Sequence, residues 1–395
     1  MADTFRILTL NSISSVGLKR LSADRYTVGG RIENPDAILV RSHDMHAMEI
    51  GQAVKAIGRA GAGTNNIPVP KLSLRGLPVF NAPGANANAV KELVIAGLLI
   101  GARNLVPALK FVDGLQGDDK TLNKLVEDGK KAFSGSELPG RTLGVAGLGK
   151  IGSLVADAAI KLGMNVLGYD PEITVDAAWS LPSQVRKAHS IEEVLKSCEY
   201  VTVHVPLVDA TRNLINAEHV KLMKPGSILL NFAREGIVNN HAVLDALETK
   251  HLKYYICDFP GARLQGHPRV IALPHLGAST GEAEDNCAVM VVDQLRDFLE
   301  HGNIRNAVNF PDVSMARESP YRLGIANANV PNMVGQISTA MAQAGLNIHN
   351  MINKSRGEMA YTLVDVDSVV PASLTSQLAN IHGVLSVRYL PLESK

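Results

Sequence analysis

Leu143-Gly144-Val145-Ala146-Gly147-Leu148-Gly149-Lys150-Ile151-Gly152 is a short apolar strand that runs directly into a glycine loop. Beyond it, Ile151, Leu154, Val155, Ala158 and Leu162 fall on one face of a helix. Strand, G-x-G-x-x-G and helix in that order form a dinucleotide-binding turn. Gly147 permits the tight turn, Gly149 lets a pyrophosphate approach the backbone, and Gly152 lets helix and strand pack closely. The helix start offers unpaired N–H groups and a positive dipole end to phosphates. Asp170 closes the next strand, eighteen residues after Gly152. A carboxylate there accepts hydrogen bonds from the adenosine ribose and repels a 2′-phosphate, so NAD is the expected cofactor.

The alternation continues outward in both directions. Strands are expected at 5–10, 37–40, 143–146, 165–169, 200–205, 227–232, 254–258 and 270–273, with helical periodicity between them. Such alternation predicts parallel sheets covered on both faces, with ligands at the carboxyl ends of the strands. Two long helices, one over about 89–112 and one opening at Ser279-Thr280-Gly281-Glu282 and running to about His301, read as connectors. Between the first helix and the glycine loop lies the polar stretch 114–131. After Ser319-Pro320 the order becomes βαββαβ, which is ferredoxin-like and small enough to fold alone. The expected architecture is α/β: two Rossmann-like doubly wound parallel-sheet domains plus a C-terminal ferredoxin-like α+β domain. Residues 1–90, with 280–312 returning, make a substrate domain, 91–279 the nucleotide domain and 319–395 the C-terminal one.

A chain of 395 residues with 46% hydrophobic and 19% charged residues has ample material for several cores. Its net charge of +1 supplies no basic field for nucleic acid. Three scattered cysteines, Cys198, Cys257 and Cys287, suit neither a disulfide framework nor a structural zinc site, and no metal is expected. No run is long enough to span a bilayer, and residues 1–20 lack the apolar core of a signal peptide. A soluble cytoplasmic protein acting on a small molecule is the expectation, without nucleic-acid or membrane partners.

Arg234, Asp258 and His275 each follow an apolar run at a strand's carboxyl end, where a doubly wound sheet holds its chemistry. An arginine can grip an α-keto carboxylate bidentately and polarise the adjacent carbonyl. A histidine can take a hydroxyl proton as hydride leaves. Taken singly, each residue also reads as a surface or capping group.

Gly147–Gly152, Tyr200-Val-Thr-Val-His204-Val-Pro206, Asn231-Phe-Ala-Arg234 and Pro274-His275-Leu-Gly-Ala-Ser-Thr280 resemble the signatures of the D-2-hydroxyacid dehydrogenases. With the C-terminal unit included, the chain resembles the short branch of that family that ends in an ACT domain and oxidises 3-phospho-D-glycerate to 3-phosphohydroxypyruvate with NAD, the entry to serine synthesis. The resemblance implies that Lys150 and Ile151 contact the pyrophosphate through their backbone and that Asp170 holds the ribose. It implies that Val205 and Pro206 line the nucleotide cleft, that Phe232, Ala233 and Arg234 pass under the nicotinamide ribose, and that Asp258 meets the carboxamide. Gly277 and Ala278 complete the cofactor set. Arg234 would anchor substrate and His275 would be the acid/base. In the loop Gly58–Asn66, the Ala62 and Gly63 amides would cradle the substrate carboxylate, while Arg41 and Ser42 would take its phosphate. Asn81 and Asn86 read either as cleft residues or as turn and cap residues.

One position departs from the family. Arg263 stands where a glutamate would hydrogen-bond the histidine, and Glu235, beside Arg234, is the candidate substitute. The ACT resemblance implies pairing between subunits, in a homodimer or homotetramer, and an L-serine effector held by Asn327, Asn329 and Asn347. Two alternatives stay open: a dehydrogenase for another D-2-hydroxy acid (2-hydroxyglutarate, glycerate or lactate), and a non-catalytic NAD sensor.

Overall fold

The computed structural model describes residues 4–392. Its chain divides into two compact units, Met1–Asn86 with Gly281–Lys395, and Ala87–Thr280.

In the first unit, β1 (Phe5–Leu10), β2 (Tyr26–Gly29), β3 (Ala37–Val40), β4 (Ala56–Arg59) and β5 (Val79–Phe80) form a parallel sheet in the order β2-β1-β3-β4-β5. Alternate residues face opposite sides. Ile38 and Val40 join Ile57 and Leu72 in one core, while Ile7, Leu39 and Phe80 join another. Helix Gly281–His301 closes that second face with Cys287, Ala288, Val291, Val292, Leu295, Phe298 and Leu299, a stripe at helical spacing. The segment Ser15–Leu18 crosses this helix at Gly17, where an added Cβ would stand 2.7 Å from Ala288 Cβ.

The second unit carries β6 (Thr142–Ala146), β7 (Asn165–Tyr169), β8 (Arg186–Lys187), β9 (Tyr200–Val203), β10 (Ser227–Asn231), β11 (Leu252–Cys257) and β12 (Val270–Ala272). They form a parallel sheet in the order β12-β11-β10-β9-β6-β7-β8. The strand order reverses between β6 and β9, which is the switch point of a Rossmann sheet. Helices Ala87–Ala102 and Lys150–Lys161 cover one face through Val90, Val94, Leu98, Val155 and Ala159.

The expected helix over 89–112 is broken. Helix Ala87–Ala102 gives way to Leu105–Asp113 at 67°, with Asn104 left-handed at φ 52°. Pro107 explains the break, because a continuous helix would drive its ring into the Arg103 carbonyl. The Asn104 side chain donates to the Ser134 carbonyl at 2.9 Å, which fixes the corner. The polar stretch 114–131 contains helix Asp119–Gly129, capped by the Asp118 carboxylate on the Thr121 amide. Among the described residues, no single helix is long and apolar enough to cross a membrane.

The C-terminal sheet consists of β13 (Tyr321–Ala328), β14 (Ile348–Arg356), β15 (Met359–Val366) and β16 (Val384–Pro391), antiparallel in the order β14-β15-β13-β16. One face packs on helices Met333–Gln343 and Ala372–Ala379 through Leu323, Ile325, Val364 and Val366. The opposite face is buried too: Ala326, Met359, Tyr361 and Leu363 share a core with Phe298 and Phe310. On this face Arg322 and Asp365 are cross-strand partners, fully buried and paired at 2.6 Å. Three arginines then meet the last carbonyls of helix Gly281–His301, which have no partner within the helix. Arg388 donates to Phe298 and Leu299, Arg317 to Glu300, and Arg322 to His301. The Arg388 guanidinium also lies 4.4 Å from the Phe298 ring centroid. The central strands of this C-terminal sheet, β13 and β15, are thus buried on both sides.

Candidate active site

At the Rossmann switch point the three glycines do different work. Gly147 has φ +92°, donates its N–H to the Tyr169 carbonyl at 2.8 Å, and has no room for a Cβ against the His204 carbonyl. A Cβ on Gly152 would strike the Gly147 carbonyl oxygen. Gly149 faces open space and begins helix Lys150–Lys161 without a side-chain cap. The free amides of that first turn, beside a bare backbone, fit a pyrophosphate. Asp170 accepts from the Leu148 amide at 2.8 Å and the Glu172 amide at 3.0 Å. Each carboxylate oxygen keeps a further lone pair for a ribose hydroxyl.

Val205 is half-buried and Pro206 exposed beyond β9. His204, just before them, bonds Thr202 Oγ1 through Nε2 at 2.9 Å, and its buried Nδ1 has no partner among the described residues. Burial pushes its pKa down to about 3, which keeps the imidazole neutral.

Arg234 follows β10 and is exposed, donating to the Ala233 carbonyl at 2.7 Å. Its loop is stapled from below by Asn231, 1% exposed, which donates to the Arg234 carbonyl at 2.9 Å and accepts from the Ala233 amide at 3.1 Å. Phe232 is buried in the core, so any contact with cofactor comes from its backbone.

His275 is exposed and left-handed at φ 57°. A non-glycine residue there stores on the order of 1 kcal/mol of strain. Asp258 offsets it. This carboxylate is 1% exposed and accepts from the next two amides, Leu276 at 2.7 Å and Gly277 at 2.8 Å. Asp258 thus clamps the histidine loop, a task separate from the carboxamide contact that the family resemblance implies. The Phe259 ring meets the His275 ring edge-on at 5.1 Å between centroids. Ala278 is half-buried at the end of the loop. Among the described residues no carboxylate hydrogen-bonds the His275 imidazole. Arg263 turns instead to His241, and Glu235 lies near Gly261.

In the first unit, Arg41 and Ser42 leave β3 beside the end of β1, at that sheet's own switch point. Asn11 accepts from the Ser42 amide at 3.2 Å and the His43 amide at 2.6 Å. Asn66 donates to the His43 carbonyl at 2.8 Å. The Arg41 guanidinium is paired with Glu284 at 2.6 Å, on the first turn of helix Gly281–His301. The loop holding Ala62 and Gly63 is pinned by Asn81, which donates to the Ala62 carbonyl at 2.6 Å, and by the Ala82 amide on the Gly61 carbonyl. Asn81 is therefore a loop support. Asn86 directly precedes helix Ala87–Ala102.

The three effector candidates are not together in one protomer. Asn327 is 1% exposed with an unpartnered Oδ1, and Asn329 donates to the Gly357 carbonyl, both at one end of the sheet. Asn347 bonds Asp367 beyond Ile348, whose register neighbours Val366 and Tyr321 mark the other end. Asn327 lies six strand positions beyond Tyr321, roughly 20 Å. A ligand touching all three would need two copies of the chain.

Sequence reading gave no role to Asn11, Asn66, Asn231 or Glu284. Asn231 stood within a recognised motif, but Glu284 reaches Arg41 across 243 positions and leaves no local signal.

Comparison with known proteins identifies the family. Residues 108–277 match the family model for the NAD-binding domain of D-isomer specific 2-hydroxyacid dehydrogenases. The chain is 33% identical over 348 residues to a D-3-phosphoglycerate dehydrogenase of Methanocaldococcus jannaschii, covering 85% of this chain and 62% of that protein. It is 31% identical to the enzyme of that name from Haemophilus influenzae, covering 87% and 83%. Among solved structures, NAD+-bound 3-phosphoglycerate dehydrogenase from Entamoeba histolytica matches with a TM-score of 0.61 and 25% identity, over 78% of this chain and 99% of that one. By these likenesses the chain belongs to the NAD-dependent D-2-hydroxyacid dehydrogenase family.

Proposed function

We propose that this protein oxidises 3-phospho-D-glycerate to 3-phosphohydroxypyruvate. The observation that carries the substrate is the Arg41–Ser42 turn, a guanidinium and a hydroxyl at the switch point of the first unit's sheet. Before a phosphate can use it, Arg41 must leave Glu284. A dianionic phosphate competes well there, offering more charge than one carboxylate and equally good bidentate geometry.

NAD, held by the amides after Gly149 and by Asp170, supplies the hydride acceptor. The chain's own groups do the rest. The His275 imidazole takes the C2 hydroxyl proton and Arg234 anchors the carboxylate. Among the described residues no carboxylate hydrogen-bonds the imidazole, so its orientation rests on the Asp258 clamp and the Phe259 edge. The same reading takes the chain as a homodimer or homotetramer. L-serine would bind where two C-terminal sheets bring Asn327 and Asn329 of one copy near Asn347 of another.

The test is NADH formation from NAD and 3-phospho-D-glycerate, with and without L-serine, alongside D-lactate, D-glycerate and D-2-hydroxyglutarate. Arg41→Ala should raise KM for the phosphorylated substrate roughly ten- to a hundredfold and leave the others unchanged. Faster turnover of an unphosphorylated acid, insensitive to Arg41→Ala, would transfer the assignment to that acid.

A further inference from the structure

A cavity of about 530 Å³ opens in the first unit, beside the antiparallel bridge between Phe80 at the end of β5 and Ala307. Its volume lies in the range of metabolite clefts. Pro83 and Pro311 line it with stiff backbone, and Arg356, the last residue of β14, lines it from the C-terminal sheet. Apart from Asn81, which supports the loop at Ala62, no lining residue has a role described above.

Three polar groups line this space with hydrogen-bonding capacity left over. The first is the Asn81 side chain, 9% exposed. Its NH2 donates to the Ala62 carbonyl at 2.6 Å, and because only the NH2 can donate, the orientation of the amide is settled. The Oδ1 is left without a partner among the described residues, and it is not sealed from solvent as the unpartnered Asn66 and Asn327 oxygens are. The second is the Arg356 guanidinium. It donates through Nη1 to the Ala307 carbonyl at 3.0 Å and has no carboxylate within ion-pair distance among the described residues. The third is the Asp312 carboxylate. Its Oδ1 accepts from the amide of Asn306, which is left-handed at φ 56°, and no described cation pairs with it. Arg356 and Asp312 thus line one cavity without pairing with each other.

We infer that this cavity binds a small zwitterion, an α-amino acid, with its carboxylate on Arg356 and its ammonium on Asp312 and the Asn81 Oδ1. A guanidinium presents parallel donors that match a carboxylate. An ammonium is three donors and needs acceptors, and the carboxylate and the amide oxygen are two of them. A simple anion would meet the Asp312 charge and a simple cation the Arg356 charge, so the lining selects a ligand that carries both signs. Because the same Asn81 holds the Ala62 carbonyl, an occupied cavity stiffens the loop Gly58–Asn66. The inference depends neither on the proposed substrate nor on a second copy of the chain.

The test is isothermal titration calorimetry of the full chain, without NAD or substrate, against glycine, L-alanine, L-serine and L-aspartate. Acetate and methylammonium serve as the two halves of the ligand. At least one amino acid should bind saturably and about tenfold or more tighter than either half. Arg356→Gln and Asp312→Asn, both at exposed positions, should each weaken it about tenfold. The asparagine keeps an acceptor for the Asn306 amide, so it serves if the glutamine variant misfolds. Asn347→Ala should bind like the parent, which separates this cavity from a site between two C-terminal sheets. Amide hydrogen exchange across residues 58–66 should slow on binding, and exchange that does not change would overturn the coupling to that loop. The site itself is overturned if no amino acid binds, if acetate or methylammonium binds as tightly, if both cavity variants bind like the parent, or if Asn347→Ala abolishes binding.

Discussion

Replacing Asp258 with asparagine tests how His275, the proposed acid/base, is held. The carboxylate accepts one amide on each oxygen, Leu276 at 2.7 Å and Gly277 at 2.8 Å, with almost no solvent contact. Asparagine keeps one acceptor and turns an NH2 donor towards the other amide. One charge-assisted bond is lost, about 1.5–3 kcal/mol, and a donor–donor contact replaces it. The cheapest relief is for the loop to lift, because His275 is already strained at φ 57° and gains by relaxing. About 2–3 kcal/mol moved into loop displacement corresponds to a fall in kcat of roughly thirty- to a hundred-and-fiftyfold. Initial rates of NADH formation and NADH titration of the same preparation give the two numbers needed. Since both Asp258 oxygens are engaged by the loop, kcat should fall while the NADH Kd stays within about threefold. An unchanged kcat with NADH binding weakened tenfold would refute the clamp and make Asp258 a cofactor ligand.

Other expectations follow from buried groups. His204 has a folded pKa of about 3, below the roughly 6.5 of an unfolded imidazole. The unfolded chain therefore binds the extra proton, so this contribution to stability is complete above about pH 6.5 and is lost as pH falls below it, at up to about 1.4 kcal/mol per pH unit. A His204→Gln variant should show a flatter Tm between pH 6.5 and 4.5; an identical slope would remove His204 as the cause. Burial holds the Cys198 thiol up at about 12 and raises Cys257 and Cys287 as well. All three should resist Ellman's reagent at pH 8 in the native protein and react after denaturation; rapid native labelling would contradict their burial. Arg322→Ala would strand a buried Asp365 carboxylate, which costs about 3–5 kcal/mol. Denaturant unfolding of the variant measures it, and a loss under 1 kcal/mol would mean that the pair is solvated.

What the sequence disclosed and what it withheld have separate physical causes. Gly147–Gly152 with Asp170, and Arg234 and His275 after their strands, are local patterns, because a tight turn or strand end must be written in adjacent residues. Strands β2, β4, β5 and β8 were not anticipated. Val79–Phe80 and Arg186–Lys187 are two residues long, and Ala56-Ile-Gly-Arg59 carries a glycine where β-branched residues mark a strand. The break at Asn104 was hidden by apolar periodicity that continues on both sides of it, although Pro107 was the readable clue. Contacts across long separations, Arg41 with Glu284 or Arg322 with the end of the long helix, have no signature in one sequence. The position of Arg263 was legible, but its consequence, an imidazole without a carboxylate partner, required coordinates.

The three arginines at the end of helix Gly281–His301 change what a truncation experiment means. Stopping the chain after residue 318 looks like removal of a sensor module from an intact enzyme. It would instead take Arg322 and Arg388 from the helix carbonyls and Met359, Tyr361 and Leu363 from the core around Phe298. The long helix would fray from its last turn, and its first turn carries Glu284. Loss of activity in such a fragment would report the collapse of a shared scaffold, and calorimetry of the intact first unit should give one cooperative transition where a modular reading expects two. An effector role for the C-terminal sheet is better probed by point changes at the exposed Asn329 and Asn347, which leave that scaffold standing.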